Sequence, residues 1–309
     1  MNLYLSAIGF SSIDSKQEKK FINAAVKQCI EDDLIVKNKV LNRGIAVVRV
    51  SSLTGIYIFG RFEGKKFIYE YYYPFTIGNT ITCNDEIIIE RHVDKESYSV
   101  VCDETKMGVT LIFFLQNIMD YMDFIVTQKG FKKDMFNPDR KNLIARNPIK
   151  GCTIYLSALS LSGMILLPIK KNKISSKKNM EEQRKRSQLI AAAKEGDEEA
   201  IESLTFEDID MYTRISHRIL SEDVFSIVET TFMPCGVECD QYSVVGEILD
   251  LKSDENIYTG EKIYIMALEC NNMIVSMAIN ALSLLGEPKI GRRFKGQIWL
   301  QGTVKFPLL

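Results

Sequence analysis

The last quarter of the chain repeats apolar residues at every second position, interrupted only by turn-forming residues. Segments 242–251, 262–270, 273–280, 293–300 and 302–306 read as five strands. Between the third and the fourth lies Ala281-Leu-Ser-Leu-Leu-Gly286, too short for a packed helix and placed to plug a barrel end. Three strands, a short helix and two more strands is the order of the oligonucleotide/oligosaccharide-binding (OB) barrel. The sequence therefore predicts an OB-like five-stranded β-barrel within a C-terminal domain, 223–309. That order implies a binding surface but names no ligand, because a fold does not fix a function.

The first part of the chain has a different beginning. Residues 16–30 place Phe21, Ile22, Ala25, Val26, Cys29 and Ile30 at helical spacing, with Lys16, Lys19, Lys20 and Lys27 on the wet face. Ser15 is the expected cap, completed by Glu18 in a capping box. From Gly44 the period changes to two, and 45–50, 55–62, 67–73, 86–93, 98–103 and 109–115 read as strands. Their connections, Ser51-Ser52, Glu63-Gly64-Lys65 and Asp94-Lys95-Glu96, are too short for parallel crossovers, so an antiparallel sheet with one packed helix is expected. A polar interval, 128–147, precedes an expected hairpin, 153–159 returning through Ser160-Leu-Ser-Gly163 to 164–169. Residues 1–169 thus form an antiparallel α+β domain in this reading.

Between these parts the composition breaks. Residues 170–186 hold eight basic residues against Glu181 and Glu182, and 195–210 hold eight acidic residues and no basic one. Both runs lie in helix-favouring sequence, with Asn179 as a cap and Gly196 as a break, so 170–222 reads as a charged helical connector. Over all 309 residues the net charge is −1, which gives no global attraction to nucleic acid or to an anionic membrane. The N-terminus lacks a basic, apolar leader. The longest apolar runs, 109–115 and 163–169, fall far short of the ~20 residues of a membrane helix. Seven scattered cysteines, an odd count without repeated spacing, fit a reducing cytoplasm and no disulfide framework.

Five segments carry a likeness: Leu5-Ser-Ala-Ile-Gly-Phe10, Leu159-Ser-Leu-Ser-Gly-Met-Ile-Leu-Leu-Pro168, Gly196-Asp-Glu-Glu-Ala-Ile-Glu-Ser-Leu204, Pro234-Cys-Gly-Val-Glu-Cys-Asp240 and Arg293-Phe-Lys-Gly-Gln-Ile-Trp-Leu-Gln-Gly302. Together they resemble a family of uncharacterised proteins of about this length from clostridial bacteria, known only as a domain of unknown function. The resemblance covers nearly the whole chain. It implies a cytoplasmic bacterial protein and supplies no catalytic residues.

Chemistry is sparse. Gly286-Glu-Pro-Lys-Ile-Gly-Arg-Arg293 has the glycine spacing of a phosphate loop, but Arg-Arg replaces Lys-Ser or Lys-Thr and a strand comes after it instead of a helix, so it reads as a turn. Cys235, Cys239 and Cys270 fall short of four zinc ligands. Glu86, Glu90 and His92 share a strand face and read as solvated sheet surface. His217 lies on a predicted helix beside Arg214 and Arg218, and there is no nucleophile elbow. No cofactor is expected.

Binding surfaces are the remaining candidates. Tyr69, Tyr71 and Tyr73 alternate along one strand and form an expected row. Tyr258, Tyr264, Phe294 and Trp299, with Arg292, Arg293 and Lys295 nearby, are the C-terminal candidates for a single-strand platform. Yet 223–309 holds seven Lys/Arg against eleven Asp/Glu, and phosphate contacts supply most non-specific affinity. The expectation is a cytoplasmic, non-enzymatic binding protein whose partner is another protein. Single-stranded nucleic-acid binding through the barrel and basic connector is the first alternative, and an enzyme of unknown class the second.

Overall fold

The computed structural model describes residues 3–92, 97–102, 110–127, 148–169, 185, 188–189, 192–193, 196–219, 230–236, 239–271 and 273–307. The turn at 94–96, the interval 128–147 and nearly all of the basic run 170–186 lie outside these residues. The chain is mixed α+β and mostly sheet, with one four-stranded and one ten-stranded sheet.

After a short 3-10 segment (Leu3–Ile8), helix α1 spans Ser15–Glu31. Its cap is Asp14, one residue before the expected Ser15. The Asp14 carboxylate accepts from the Lys16 and Gln17 amides, and the Gln17 side chain returns to the Asp14 amide. With Asp14 as the cap, Gln17 takes the place of Glu18 in the box, and Glu18 is instead buried beneath the helix, accepting from the Tyr72 hydroxyl.

The four-stranded sheet obeys the period-two pattern. Strands β1 (Val36–Asn38), β2 (Arg43–Arg49), β3 (Thr54–Glu63) and β4 (Lys66–Thr76) pair antiparallel in sequence order. Both faces are buried. Ala46, Val48, Ile56, Ile58 and Phe67 join the core under α1 and the N-terminal segment, while Ile45, Phe59 and Tyr73 join the larger core.

The larger sheet begins with β5 (Cys83–Arg91), β6 (Tyr98–Cys102) and β7 (Leu111–Leu115). Helix α2 (Ile118–Thr127) comes next, its Ile118, Met119, Tyr121 and Met122 buried. Then come β8 (Ile149–Leu166), helix α3 (Glu198–Ile219) and β9 (Thr231–Pro234). Strands β10 (Gln241–Glu255), β11 (Lys262–Cys270), β12 (Met273–Asn280), β13 (Leu284–Leu285) and β14 (Arg293–Lys305) complete it.

Two expectations are corrected here. Residues 153–169 make no hairpin: β8 runs straight through Ser160-Leu-Ser-Gly163, because β12 and β14 flank it and supply the ladder partners on both sides. The turn-favouring residues are absorbed. Ser160 Oγ donates to the carbonyls of Ser162 and Gln297, and Gly163 lies against the Phe294 ring. Likewise 293–300 and 302–306 are not separate strands but one, β14, held along its length by β8. Pairing therefore returns to its start through β10, β11, β12, β8 and β14, with β12–β8 parallel and the other four contacts antiparallel. The strand completing this circuit comes from before the connector. The short insert after β12 is a 3-10 turn, Ala281–Ser283, capped by Asn280.

A buried polar cluster ties the two sheets. Gln116, just past β7, shares the two hydrogens of Nε2 among three acceptors, Gln301 Oε1, Ser157 Oγ and the Thr76 carbonyl. Gln301 Nε2 donates to the Pro74 carbonyl, and the Tyr73 hydroxyl to the Gln116 carbonyl. Such groups remain inside only when paired.

Candidate functional site

The tyrosine row is broken. A bulge between Phe59 and Gly60 leaves Glu70 outside the ladder register with β3, so Tyr71 pairs with Phe59 and Tyr69 with Gly60. An extra residue in one strand reverses the facing of the residues beyond it. Tyr71 and Tyr73 therefore pack with the main core, whereas Tyr69 packs with Tyr72 in the core under α1. Tyr73 is buried and its phenol, pushed well above the usual value by burial, stays protonated.

The basic group on β14 is divided as well. Arg293 is buried and donates from Nε and Nη2 to the Leu167 carbonyl at 3.1 and 3.0 Å, an internal tie. Arg292 donates to the Glu287 carbonyl within its own loop, and Lys295 lies in the β14 ladder facing β8 and β10. Trp299 is half-buried, its ring between those of Tyr4 and Phe114, its Nε1 donating to Asp240 at 2.8 Å. Tyr264 packs against the main core with the Lys262 ammonium over its ring. Phe294 is fully buried, and Tyr258 lines a groove among the described residues.

That groove, about 620 Å3 in volume, lies between the first half of α1 and the β10–β11 turn. Its walls are Phe10, Ile13, Phe21, Ala24 and Tyr258, with Ser12, Gln17, Lys20, Thr259 and Glu261 at the margin. Three rings support one another: Phe10–Phe21 centroids are 5.1 Å apart, and Tyr258 stands edge-on to Phe21 at 4.9 Å. Burial, with the nearby Cys29, raises the Tyr258 phenol, so the ring is neutral at ordinary pH.

The turn that presents Tyr258 is fixed by Asn256, which is 1% exposed. Its Nδ2 donates to the carbonyls of Ile8 and Gly9, and its Oδ1 accepts from the amides of Tyr258 and Thr259. Glu261 accepts from the Ser11 amide and hydroxyl and from Asn280 Nδ2. These bonds hold the N-terminal segment to the turn, and the groove exists because they meet. The signal in the sequence is Ile257-Tyr258, an apolar pair in a turn between Asn256 and Gly260. Phe21 reads there only as the apolar face of the first helix, and Phe10 is given no role.

A smaller recess of about 380 Å3 lies between α2 and the end of β14, lined by Asp120, Asp123, Phe124 and Phe306 among others. Asp120 and Asp123 are already taken by Asn117 and Asn38. Among the described residues no group of three or more His, Cys, Asp or Glu could hold a metal, and no helix is long and apolar enough to cross a membrane. His92 meets Ser99 at 2.7 Å, and Glu86 pairs with Lys150.

The family model described as "Domain of unknown function, E. rectale Gene description (DUF3881)" matches residues 5–302, and the chain belongs to that family. No curated protein and no solved structure matches it.

Proposed function

We propose that this is a non-enzymatic binding protein and that its ligand is a polypeptide, taken by the groove between α1 and the β10–β11 turn. The observation that carries this reading is the groove's composition. Three mutually packed rings form an apolar wall, and a lysine stands at the rim, the pattern of a surface that accepts an apolar side chain from an amphipathic segment.

We read the circuit β10–β11–β12–β8–β14 as an OB-like barrel in permuted order. Counted from β10, it runs three strands, a short helical turn and a fourth strand, with β8 in the fifth place, parallel to the third. OB barrels present the face of their second and third strands to oligonucleotides. Here Ile263 and Ile265 of β11 and Ala278 of β12 are buried in one core with Ile8, Phe10 and Ile22. The chain's own N-terminal segment and α1 occupy that face, and Arg293 is turned inward. Both features favour a polypeptide over a single-stranded nucleic acid.

The test is a peptide-display selection on the intact protein, with binders re-measured on Tyr258→Ala and Lys20→Glu. Peptides with an aromatic or branched aliphatic anchor beside acidic residues are expected, with affinity reduced at least tenfold by either substitution. Binders indifferent to both changes, or no binders at all, would overturn the assignment.

A further inference from the structure

The groove has a chemical counterpart elsewhere in the same chain. Helix α3 carries Glu198, Glu199 and Glu202 exposed in its first turns, and 195–210 contain no Lys or Arg. The same stretch exposes Ile201, Phe206 and Ile209, at 47%, 64% and 57%. At 3.6 residues per turn these three fall within roughly 140° of one another, a sector that also holds Glu198 and Glu202, so one face of the helix is apolar and acidic together. Apolar side chains on a helix are ordinarily packed, yet these three are exposed.

The sign of the groove is opposite. Lys20 lines it, and Lys16 and Lys19 are exposed on the same half of α1. Glu18, the one acid among them, is turned into the core beneath Tyr72. Glu261 at the margin already accepts three hydrogen bonds from Ser11 and Asn280.

Resting on the reading of the groove as a polypeptide site, we propose that it takes the acidic helix α3 of a second copy of this chain. Phe206 is the anchor, laid against the wall that Phe10, Phe21 and Tyr258 form, and the glutamates of α3 lie along the α1 lysines. Among the described residues, none of α3 lines the groove, and the proposal places the α3 of a second copy there. Reciprocal exchange fills both grooves and closes a two-fold dimer without a free end.

Sedimentation velocity on the full chain across micromolar concentrations, at low and moderate salt, tests this. A concentration-dependent dimer is expected, weakened by salt because its ion pairs are exposed. Phe206→Glu and Tyr258→Ala should each return it to monomer; both residues are exposed, so the fold should survive, as circular dichroism would show. A complementation experiment separates charge matching from non-specific effects. Protein carrying Lys16→Glu, Lys19→Glu and Lys20→Glu, and protein carrying Glu198→Lys, Glu199→Lys and Glu202→Lys, should each be monomeric alone. Mixed, they should form a heterodimer, since each groove then meets an α3 of opposite sign. A monomer at every concentration, a dimer indifferent to Phe206→Glu, or no heterodimer on mixing would overturn the proposal. Display-selected peptides that bind the groove of a strictly monomeric protein would leave the polypeptide site standing and remove α3 as its occupant.

Discussion

Gln116 and Gln301 meet end to end inside the protein: Gln116 Nε2 donates to Gln301 Oε1 over 2.7 Å, and neither side chain is more than 1% exposed. Through them the ends of β4 and β7 and the middles of β8 and β14 share one hydrogen-bond cluster. Replacing Gln301 by Leu keeps the volume but leaves the Pro74 carbonyl without its side-chain donor and Gln116 with one acceptor fewer. A loss of about 1–3 kcal/mol is expected, read from urea denaturation of the full chain. An unchanged midpoint would show that water replaces the amide.

Asn256→Ala should cost a similar amount, about 1–3 kcal/mol, because two hydrogen bonds to the N-terminal segment and two within the β10–β11 turn depend on that one side chain. The stronger expectation is local. Limited proteolysis should begin within residues 3–13, and groove binding should fall with it, since Phe10 is carried by that segment.

Gly296→Ala should destabilise by overpacking. A Cβ there would stand 2.6 Å from Phe294 Cζ and 2.7 Å from the Ser162 carbonyl oxygen, and that oxygen belongs to β8. The expected cost is about 1–3 kcal/mol. Combining it with Phe294→Leu should recover part of the loss, which thermal melts of both variants would reveal.

Alkaline pH should weaken the fold. Burial pushes the Cys152 thiol up to about 11 and, with Glu269 nearby, the Cys270 thiol up to about 12, from an ordinary 9.0. In the unfolded chain these protons leave earlier. Their contribution to stability is therefore complete below pH 9 and is lost as pH rises through 11 to 12. Burial also raises the Tyr242 phenol to about 12, which acts in the same direction. Denaturation midpoints across this range should fall steadily. At pH 8, iodoacetamide should modify exposed Cys239 first, while Cys152 and Cys270 react only on unfolding.

Much of the sheet is legible in the sequence because its pattern is local. The alternation in Gly55-Ile-Tyr-Ile-Phe and Lys262-Ile-Tyr-Ile-Met carries its own period, and β3 and β11 stand where that period puts them. Strand β8 reads wrongly because Ser160-Leu-Ser-Gly163 has turn chemistry of its own, which only β12 and β14, distant in sequence, override. Helix α2 goes unread although Ile118, Met119, Tyr121, Met122 and Ile125 carry a helical spacing. The tyrosine row fails for a subtler reason: a single residue skipped by the ladder, Glu70, reverses the facing, and no composition announces a bulge. At the groove, Tyr258 is visible as a ring in a turn. Its neighbours are not, because Phe10 and Phe21 approach it through Asn256, whose hydrogen bonds join positions almost 250 residues apart.

Strand β8 also fixes an order of events at the ribosome. It is complete at residue 166, while β12 begins at residue 273 and β14 at residue 293. At roughly 5–20 residues per second, the nascent chain carries β8 for on the order of ten seconds before its later neighbours exist. During that interval β5 is the partner already made, and the edge bearing Ile154, Leu156 and Leu159 waits open. Closure is then a late step over long sequence separation, the kind that is slow and exposed to aggregation. The hazard for this protein therefore falls in its synthesis, and holding β8 safe until β14 arrives is a task for whatever attends the growing chain.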